Sequence, residues 1–443
     1  MKVGIIGLGF VGLSLAVFLS SKNVQVTGID TDKTKIQTIQ KGITPFYEPN
    51  LQQYLEKAIK NGLKLKTEIP SDVFSNDLIF ITVSTPINKH DEIDLDHVKS
   101  VVTSLNKKLH FAKKTPTIII KSTVIPGTTI QTIKPLLEGN SFRESRDFNL
   151  LTNPEFLREG SAIKDTRNPH VVIVGGNNVK SRKKLVEFYK KIYFKNQDYV
   201  ETNTTTAEMI KYANNAFLAT KITFINSIAN MCQKIPDTNV DDIAKVMGMD
   251  PRISHLFLNA GPGFGGSCFP KDLQALIAYS KNIGYSPKLL ETVQDCNSQQ
   301  VDWIIKLLKK NIKNLRNKKI GILGLAFKEN TNDIRESISI NLIKKLLREK
   351  CIVNVHDPKA LKNIKKIFKN KLVYFDEYKQ IFYNSDCAIL MTPWEEYAKI
   401  NSKLIKRLEL KLFIDTRRFL SFNDDGIKFL SLGIGPKNFN LQA

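Results

Sequence analysis

The chain reads as an α/β protein of two doubly wound, mostly parallel sheets, joined by a long central helix and a helical region suited to dimerisation. Three observations predict this. Short apolar runs alternate with amphipathic helical patterns toward both ends of the chain, as parallel strands with crossover helices require. A glycine-bearing turn leaves the first strand of each end, at 7–12 and again at 321–324. Between them, residues 204–233 hold neither Gly nor Pro, enough for a helix of roughly 40 Å at 1.5 Å per residue. At 443 residues the chain exceeds one ordinary core. Its expected divisions are 1–200 for the first sheet, 201–300 for the helical region and 301–443 for the second sheet.

The first element is the apolar run Lys2–Ile6, followed by Gly7-Leu8-Gly9-Phe10-Val11-Gly12 and a helical pattern through Leu19. A second β-like run, Val24–Ile29, ends in Asp30. Strand, G-x-G-x-x-G, helix, strand and acid in this order form the Rossmann-like dinucleotide fingerprint. Gly7 makes the tight turn, Gly9 lets backbone reach a pyrophosphate, and Gly12 permits close helix–strand packing. The helix N-terminus then faces the phosphates. Asp30 would accept hydrogen bonds from the ribose hydroxyls and repel a 2′-phosphate, so NAD is expected rather than NADP.

Strand-like runs follow at Leu78–Val83, Thr117–Ile120, Asn149–Leu151 and Val171–Val174, with helical patterns at Leu51–Asn61, Leu95–Leu109 and Thr128–Leu137. Loops at the carboxyl ends of such strands carry ligands. Besides Asp30, they are Ser84-Thr85-Pro86, Lys121-Ser122-Thr123 and Asn153-Pro154-Glu155. For Ser84 and Ser122, helix capping is the plainer role. On the long helix, Lys211 and Asn215 share a face, with Ile210, Ala213, Phe217, Phe224 and Ile228 forming an apolar stripe. Lys211 and Asn215 are either a solvated patch or donors above a developing oxyanion.

The stretch Ala260–Asp272, AGPGFGGSCFPKD, concentrates Gly261, Gly263, Gly265 and Gly266 just before a lone Cys268. Glycines at this density allow close backbone approach and positive φ. A partly exposed thiol near positive charge is a usable nucleophile, although a free cysteine is commonly just a small hydrophobe. From Lys318 a second β/α unit begins: an apolar strand, Gly321-x-x-Gly324, Phe327-Lys328, Arg335-Glu336-Ser337 and a helical stretch Ile338–Glu349. Strand-like runs continue at Ile352–His356, Leu372–Phe375, Cys387–Met391 and Leu412–Ile414. The full fingerprint is missing here, so this domain could hold a different nucleotide.

Composition narrows the field. Five scattered cysteines without C-x-x-C spacing suit a reducing, cytoplasmic setting and no disulfide framework. The six histidines show no ligand spacing, and no metal is expected. No apolar run reaches the roughly 20 residues of a membrane span, and the glycine pattern argues against reading the N-terminus as a signal peptide. The formal charge of +23 comes mostly from dispersed lysines. That pattern suits a solvated surface attracting anionic nucleotides better than a specific nucleic-acid binder.

With these motifs laid out, the chain resembles the UDP-glucose/GDP-mannose dehydrogenase family over nearly its whole length. The markers are GLGFVG (7–12), STP (84–86), KSTVIPGT (121–128), NPEFLREG (153–160), KYANNAFLATKITFIN (211–226), GFGGSCFPKD (263–272) and GLAFKENTNDIRES (324–337). The resemblance implies NAD-dependent, four-electron oxidation of a nucleotide sugar's primary alcohol to a carboxylate. UDP-glucose is the first expectation; GDP-mannose, UDP-N-acetylmannosamine and UDP-galactose are alternatives. It implies a homodimer with no membrane or specific nucleic-acid partner.

By the same resemblance Cys268 attacks the C6 aldehyde, Lys211 and Asn215 stabilise the oxyanion, Glu155 and Thr123 handle water and protons, and Asp272 stands beside the thiol. The NAD side would take Gly7, Gly9, Phe10, Val11, Gly12, Asp30, Lys35, Thr85, Thr123, Glu159 and Arg335. The sugar nucleotide would meet Glu155, Phe156, Leu157, Lys211, Asn215, Phe257, Gly261, Gly265, Phe327, Lys328 and Arg417, with Arg252 crossing a dimer interface toward it. Three departures stand out: Ser227 for a common Glu, and Ser254 and Asn50 where the family has Gly.

Overall fold

The structure, a computed structural model, describes residues 1–193, 197–408, 410–421 and 428–437. It divides into two compact units, Met1–Asn214 and Asn215–Ala443.

The first unit holds strands β1 (Lys2–Ile6), β2 (Gln25–Ile29), β3 (Lys64–Lys66), β4 (Leu78–Ile81), β5 (Thr117–Ile120), β6 (Asn149–Thr152), β7 (Val171–Gly175) and β8 (Asp198–Thr202). Its helices are α1 (Phe10–Ser21), α2 (Lys33–Gln40), α3 (Leu51–Lys60), α4 (Asp96–Asn106), α5 (Lys134–Glu138), α6 (Ala162–Arg167) and α7 (Val179–Ile192). The strands form one sheet in the order β3-β2-β1-β4-β5-β6-β7-β8, parallel except where β6 meets β7. Successive residues of the central strands feed two different cores. Leu78 and Phe80 of β4, with Ile119 of β5, join Val3, Ile5 and Phe18. Ile79, Ile81, Ile118 and Ile120 join Ile6, Val98 and Val102 on the other face. Both faces are therefore dry, which is why these strands read as unbroken apolar runs.

The long helix α8 (Thr204–Cys232) runs from the first unit into the second. There follow α9 (Val240–Met249), α10 (Phe269–Asn282) and α11 (Lys288–Asn311), then a second sheet. Its strands are β9 (Lys319–Leu323), β10 (Ile352–His356), β11 (Val373–Tyr374), β12 (Cys387–Leu390), β13 (Leu412–Asp415) and β14 (Lys428–Ser431). They lie in the order β11-β10-β9-β12-β13-β14, every pair parallel. The helices α12 (Ile338–Arg348), α13 (Leu361–Phe368), α14 (Tyr378–Tyr383) and α15 (Ser402–Arg407) alternate with them. One core built from Ile320, Ile322, Val353, Val355, Ile389 and Phe413 serves this sheet. The fold class is the expected one: two doubly wound sheets with helices between them in sequence.

Two details depart from the sequence reading. The expected helix at 128–137 opens as a π-helical turn, Thr129–Ile133, and becomes α-helical only at Lys134. Its start is held by Glu208 of α8, whose buried carboxylate accepts the N–H groups of Gly127 at 2.6 Å and Thr129 at 2.9 Å. Burial raises the pKa of this carboxyl despite those bonds. The family-glycine positions Asn50 and Ser254 both adopt left-handed backbone, at φ +65° and +64°. Asn accepts that region more readily than Ser does.

Candidate active site

At the carboxyl end of β1 the three fingerprint glycines do three different things. Gly7 has φ +98°, and a Cβ there would lie 2.8 Å from the Val83 nitrogen. A Cβ on Gly12 would come within 1.8 Å of the Gly7 carbonyl oxygen, so this glycine serves helix–strand packing. A Cβ on Gly9 would meet nothing within 4 Å; that glycine keeps open space beside the turn. The helix starting at Phe10 and Val11 has neither a capping side chain nor an acid in its first turn, leaving its first N–H groups to an anion. Asp30 accepts from Leu8 N at 2.8 Å and Asp32 N at 3.0 Å, and pairs with Lys35 at 2.7 Å. Burial pushes its pKa up, but the Lys35 ammonium and the two backbone donors outweigh that and hold the carboxyl below its ordinary range. These residues fit a dinucleotide: glycine space, open helix N–H groups and an ionised acid at the second strand's end.

The neighbouring loops interlock. Thr85 donates to the Thr123 carbonyl at 2.7 Å. Ser122 donates to the Val83 carbonyl at 2.6 Å, and Ser84 pairs with His97 Nδ1 at 3.1 Å. Neither serine caps a helix, contrary to the sequence expectation: Ser122 bonds the end of the adjacent strand, and Ser84 the imidazole of His97 on α4. Thr123 itself makes no side-chain hydrogen bond among the described residues.

A buried charge cluster lies in the same unit. Lys211 on α8 pairs with Glu155 Oε1 at 3.2 Å, both side chains nearly inaccessible. The other Glu155 oxygen accepts from Leu157 N at 2.5 Å. The Lys211 ammonium also stands 5.3 Å from the centre of the Phe156 ring. Glu159 is buried further along the loop, whose following turn is fixed by Glu48 accepting from Gly160 N and Ala162 N, each at 2.7 Å. Thus Glu155, Phe156, Leu157 and Lys211 come together as expected. Sequence reasoning singled out the loops that carry Lys121 and Asn153 without giving either residue a role, and it gave none to Glu48. Lys121 donates to the side chain and carbonyl of Asn153, at 3.0 and 3.4 Å. Burial and the nearby Lys211 charge bring its pKa down to about 8, against the pull of Glu155.

In the second unit, Cys268 is half-buried at the N-terminal boundary of α10, its Sγ 3.6 Å from Ser267 Oγ. Of the other thiols, burial pushes Cys351 up to about 11 and Cys387 well above its ordinary value. One turn into α10, buried Asp272 accepts from Asn215 Nδ2 at 2.7 Å and Lys271 Nζ at 2.6 Å. Asn215, Cys268 and Asp272 are therefore linked through two helices of one unit. Lys271 and Asp272 were both visible in the FPKD motif, but their pairing was not.

The glycine loop before Cys268 is pinned by side-chain amides. Asn226 accepts from Gly261 N at 2.7 Å, Gln300 donates to the Gly261 carbonyl at 3.1 Å, and Asn297 both accepts from and donates to the Phe264 backbone. The absent side chains make room for protein. A Cβ on Gly265 would strike the Glu336 carbonyl oxygen at 2.1 Å, and one on Gly266, at φ +87°, the Phe327 ring at 2.6 Å. On Gly261 it would meet Arg417 NH1 at 2.8 Å. Gly261, Gly265, Phe327 and Arg417 accordingly converge, and Lys328 lies 5.7 Å from the Phe327 ring centre. Arg417 donates to the Met391 carbonyl at 3.0 Å, and burial brings its pKa down to about 10. Phe257, at φ +66°, packs toward Phe269 beside the thiol. Of the predicted arginines, Arg335 pairs with Asp333, and Arg252, its side chain 87% exposed, pairs with Asp250.

Three family profiles match consecutive parts of this chain: the NAD binding domain of the UDP-glucose/GDP-mannose dehydrogenase family at 1–193, its central domain at 205–299 and its UDP binding domain at 321–422. The chain belongs to the UDP-glucose/GDP-mannose dehydrogenase family. It is 38% identical to a UDP-glucose 6-dehydrogenase of Rickettsia bellii, over 99% of this chain and 100% of that one. Among solved structures, a UDP-glucose dehydrogenase from Pyrobaculum islandicum superposes with TM-score 0.90 at 28% identity, covering 98% of each chain. A UDP-D-ManNAc dehydrogenase from Pyrococcus horikoshii does so with TM-score 0.85 at 26% identity, covering 98% of this chain and 99% of that one. As a member of this dehydrogenase family, the protein is an NAD-dependent nucleotide-sugar dehydrogenase.

Proposed function

We propose that the protein is a UDP-glucose 6-dehydrogenase, oxidising UDP-glucose to UDP-glucuronate by way of a cysteine thioester. What carries the reading is the half-buried Cys268 at the start of α10, one turn from an Asp272 that is bonded to Asn215. NAD, when bound, supplies hydride acceptance, with Gly7, Gly9, Phe10, Val11, Gly12, Asp30, Lys35, Thr85, Glu159 and Arg335 assigned to its side. The first oxidation removes a hydride and a proton from the C6 alcohol. Cys268 Sγ then adds to the aldehyde carbon, and its oxygen takes the proton to give a thiohemiacetal. Lys211 and Asn215 stabilise the charge on that oxygen as it develops. Loss of the second hydride and of the thiohemiacetal hydroxyl proton leaves a thioester; water handled by Glu155 and Thr123 attacks it, and the thiol departs as the carboxylate forms.

Arg417, Lys328 and Phe327 suit the anionic nucleotide, with Phe257, Gly261 and Gly265 along it and Phe156 and Leu157 near the sugar. The likeness to a UDP-D-ManNAc dehydrogenase makes that sugar the second reading. A cytoplasmic homodimer completes the proposal. Phe217, Phe224 and Met231 recur every seventh residue on α8 at 65%, 48% and 51% exposure, an unpartnered apolar stripe in the isolated chain. Arg252, exposed and paired with Asp250, is assigned to the neighbouring protomer's substrate.

The deciding experiment counts NADH released from excess NAD⁺ and limiting UDP-glucose. Two per sugar is the expected result. One per sugar would remove Cys268 from the chemistry, and release from UDP-N-acetylmannosamine alone would move the specificity. Sedimentation velocity at micromolar concentration checks the dimer.

A further inference from the structure

Lys121 is a cation that the proposed reaction leaves unused, although it lies in the same charge cluster as two residues that reaction needs. It stands just beyond β5, with Asn153 just beyond the adjacent strand β6. Its ammonium donates to Asn153 Oδ1 at 3.0 Å and to the Asn153 carbonyl at 3.4 Å. An ammonium has three N–H groups, and no further acceptor for Lys121 occurs among the described residues. Asn153 is fixed from two other sides: Tyr189 on α7 donates to its Oδ1 at 2.6 Å, and its own amide donates to the Ile173 carbonyl at 2.7 Å. Two residues on, Glu155 carries the Lys211 ion pair. The groups facing Lys121 are thus Asn153 and Glu155 from the β6 loop, Tyr189 from α7 and Lys211 from α8. One carboxylate sits among two lysines.

We propose that Lys121 is a positioning residue of the dehydrogenase reaction, its ammonium holding the Asn153–Glu155 turn so that Glu155 stays within reach of Lys211. The inference rests on the functional reading above, which gives Glu155 and Lys211 their roles. It has a direct consequence for pH. Burial and Lys211 place the Lys121 pKa at about 8, so the ammonium is present below that pH and lost as pH rises through it. Activity falls on the alkaline side for this reason, with the enzyme still folded.

The test compares the wild type with Lys121→Met and Lys121→Arg. The wild type is expected to show an alkaline limb in kcat near pH 8. Lys121→Met loses about tenfold or more in kcat at neutral pH, the scale of one charge-assisted hydrogen bond, while KM for the sugar nucleotide changes far less. Lys121→Arg restores most of kcat and abolishes the limb, since a guanidinium stays charged throughout. An unmoved limb in Lys121→Arg, or no recovery of kcat in that variant, overturns the proposal. A second arm needs no turnover, so it separates this inference from the functional reading. The ¹³Cε resonance of Lys121, assigned by its absence in Lys121→Arg, is titrated in wild type and in Glu155→Gln. A midpoint near pH 8 that falls when the Glu155 charge is removed supports the proposal; an ordinary lysine midpoint unaffected by Glu155 overturns it.

Discussion

Both sheets end their second strand in an aspartate that reaches back to the glycine turn of the first strand, yet the two turns are put to opposite uses. Asp30 takes one N–H from its turn, Leu8, and keeps a lysine at its side. Asp357 takes Leu325 N and Ala326 N on one oxygen together with Trp394 Nε1, and Lys359 N and Ala360 N on the other. It is 1% exposed and saturated by protein donors. Gly7 and Gly324 turn alike, at φ +98° and +92°. The next helix starts at Phe10 in the first sheet, but only at Ile338 in the second. The intervening segment brings Phe327 and Glu336 against the glycine loop. A shared strand–turn–acid frame therefore offers an open helix terminus in one unit and a self-satisfied turn in the other. The second unit must hold its ligand with side chains instead.

The contrast can be broken most severely at the thiol. Cys268→Ser should cost at least about a thousandfold in full turnover, since a serine hydroxyl adds poorly to the aldehyde and the ester it would give hydrolyses less readily than a thioester. NAD and UDP-glucose should still bind with near-normal affinity. Stopped-flow NADH formation and calorimetry read the two halves separately, and full turnover would remove the thiol from the mechanism. Next in size, Arg417→Met should raise KM for the sugar nucleotide by about ten- to a hundredfold, the loss of one or two charge-assisted bonds, with NAD affinity unmoved. A fall in NAD affinity instead would undo the division between sheets. Asp30→Ala should weaken NAD by about tenfold and relax its preference over NADP. An unchanged cofactor profile in initial-rate measurements would show that Asp30 serves the turn alone. The smallest effect is on stability. Ser254→Gly should add about 0.5–1 kcal/mol by relieving left-handed strain, read as a raised melting temperature.

How far the sequence could lead varies from strand to strand. Lys2–Ile6 and Thr117–Ile120 are covered on both faces, so their apolar runs mark them to the residue. The edge strands β3 and β8 escaped notice because exposed residues such as Lys64, Lys66, Asp198 and Glu201 carry no such signature. Helices α7, α10 and α11 were likewise passed over, although the amphipathic pattern of α11 was there to be found. At the site, motif order delivered Glu155, Lys211, Asn215, Cys268 and Asp272. It could not reveal that Gly265 and Gly266 make room for Glu336 and Phe327, because those partners lie about seventy residues along the chain. Lys121 was hidden for a related reason: a lysine beside a strand looks solvated until the fold shows what encloses it.

The side-chain amides of Asn226 and Asn297 give the glycine loop a different dynamic character from its appearance. Gly261 and Phe264 send their N–H groups to those two side chains, and Gly266 sends its own to the Arg335 carbonyl. A segment without regular secondary structure is thus bonded like a strand, with helices α8 and α11 standing in for the neighbouring strand. In hydrogen exchange its protected amides should open with those helices and not with the surface loops. For anyone redesigning the substrate range, the loop is therefore a poor place to insert residues. The thiol at its end is positioned through Asn226 and Asn297, side chains that the proposed reaction does not itself use.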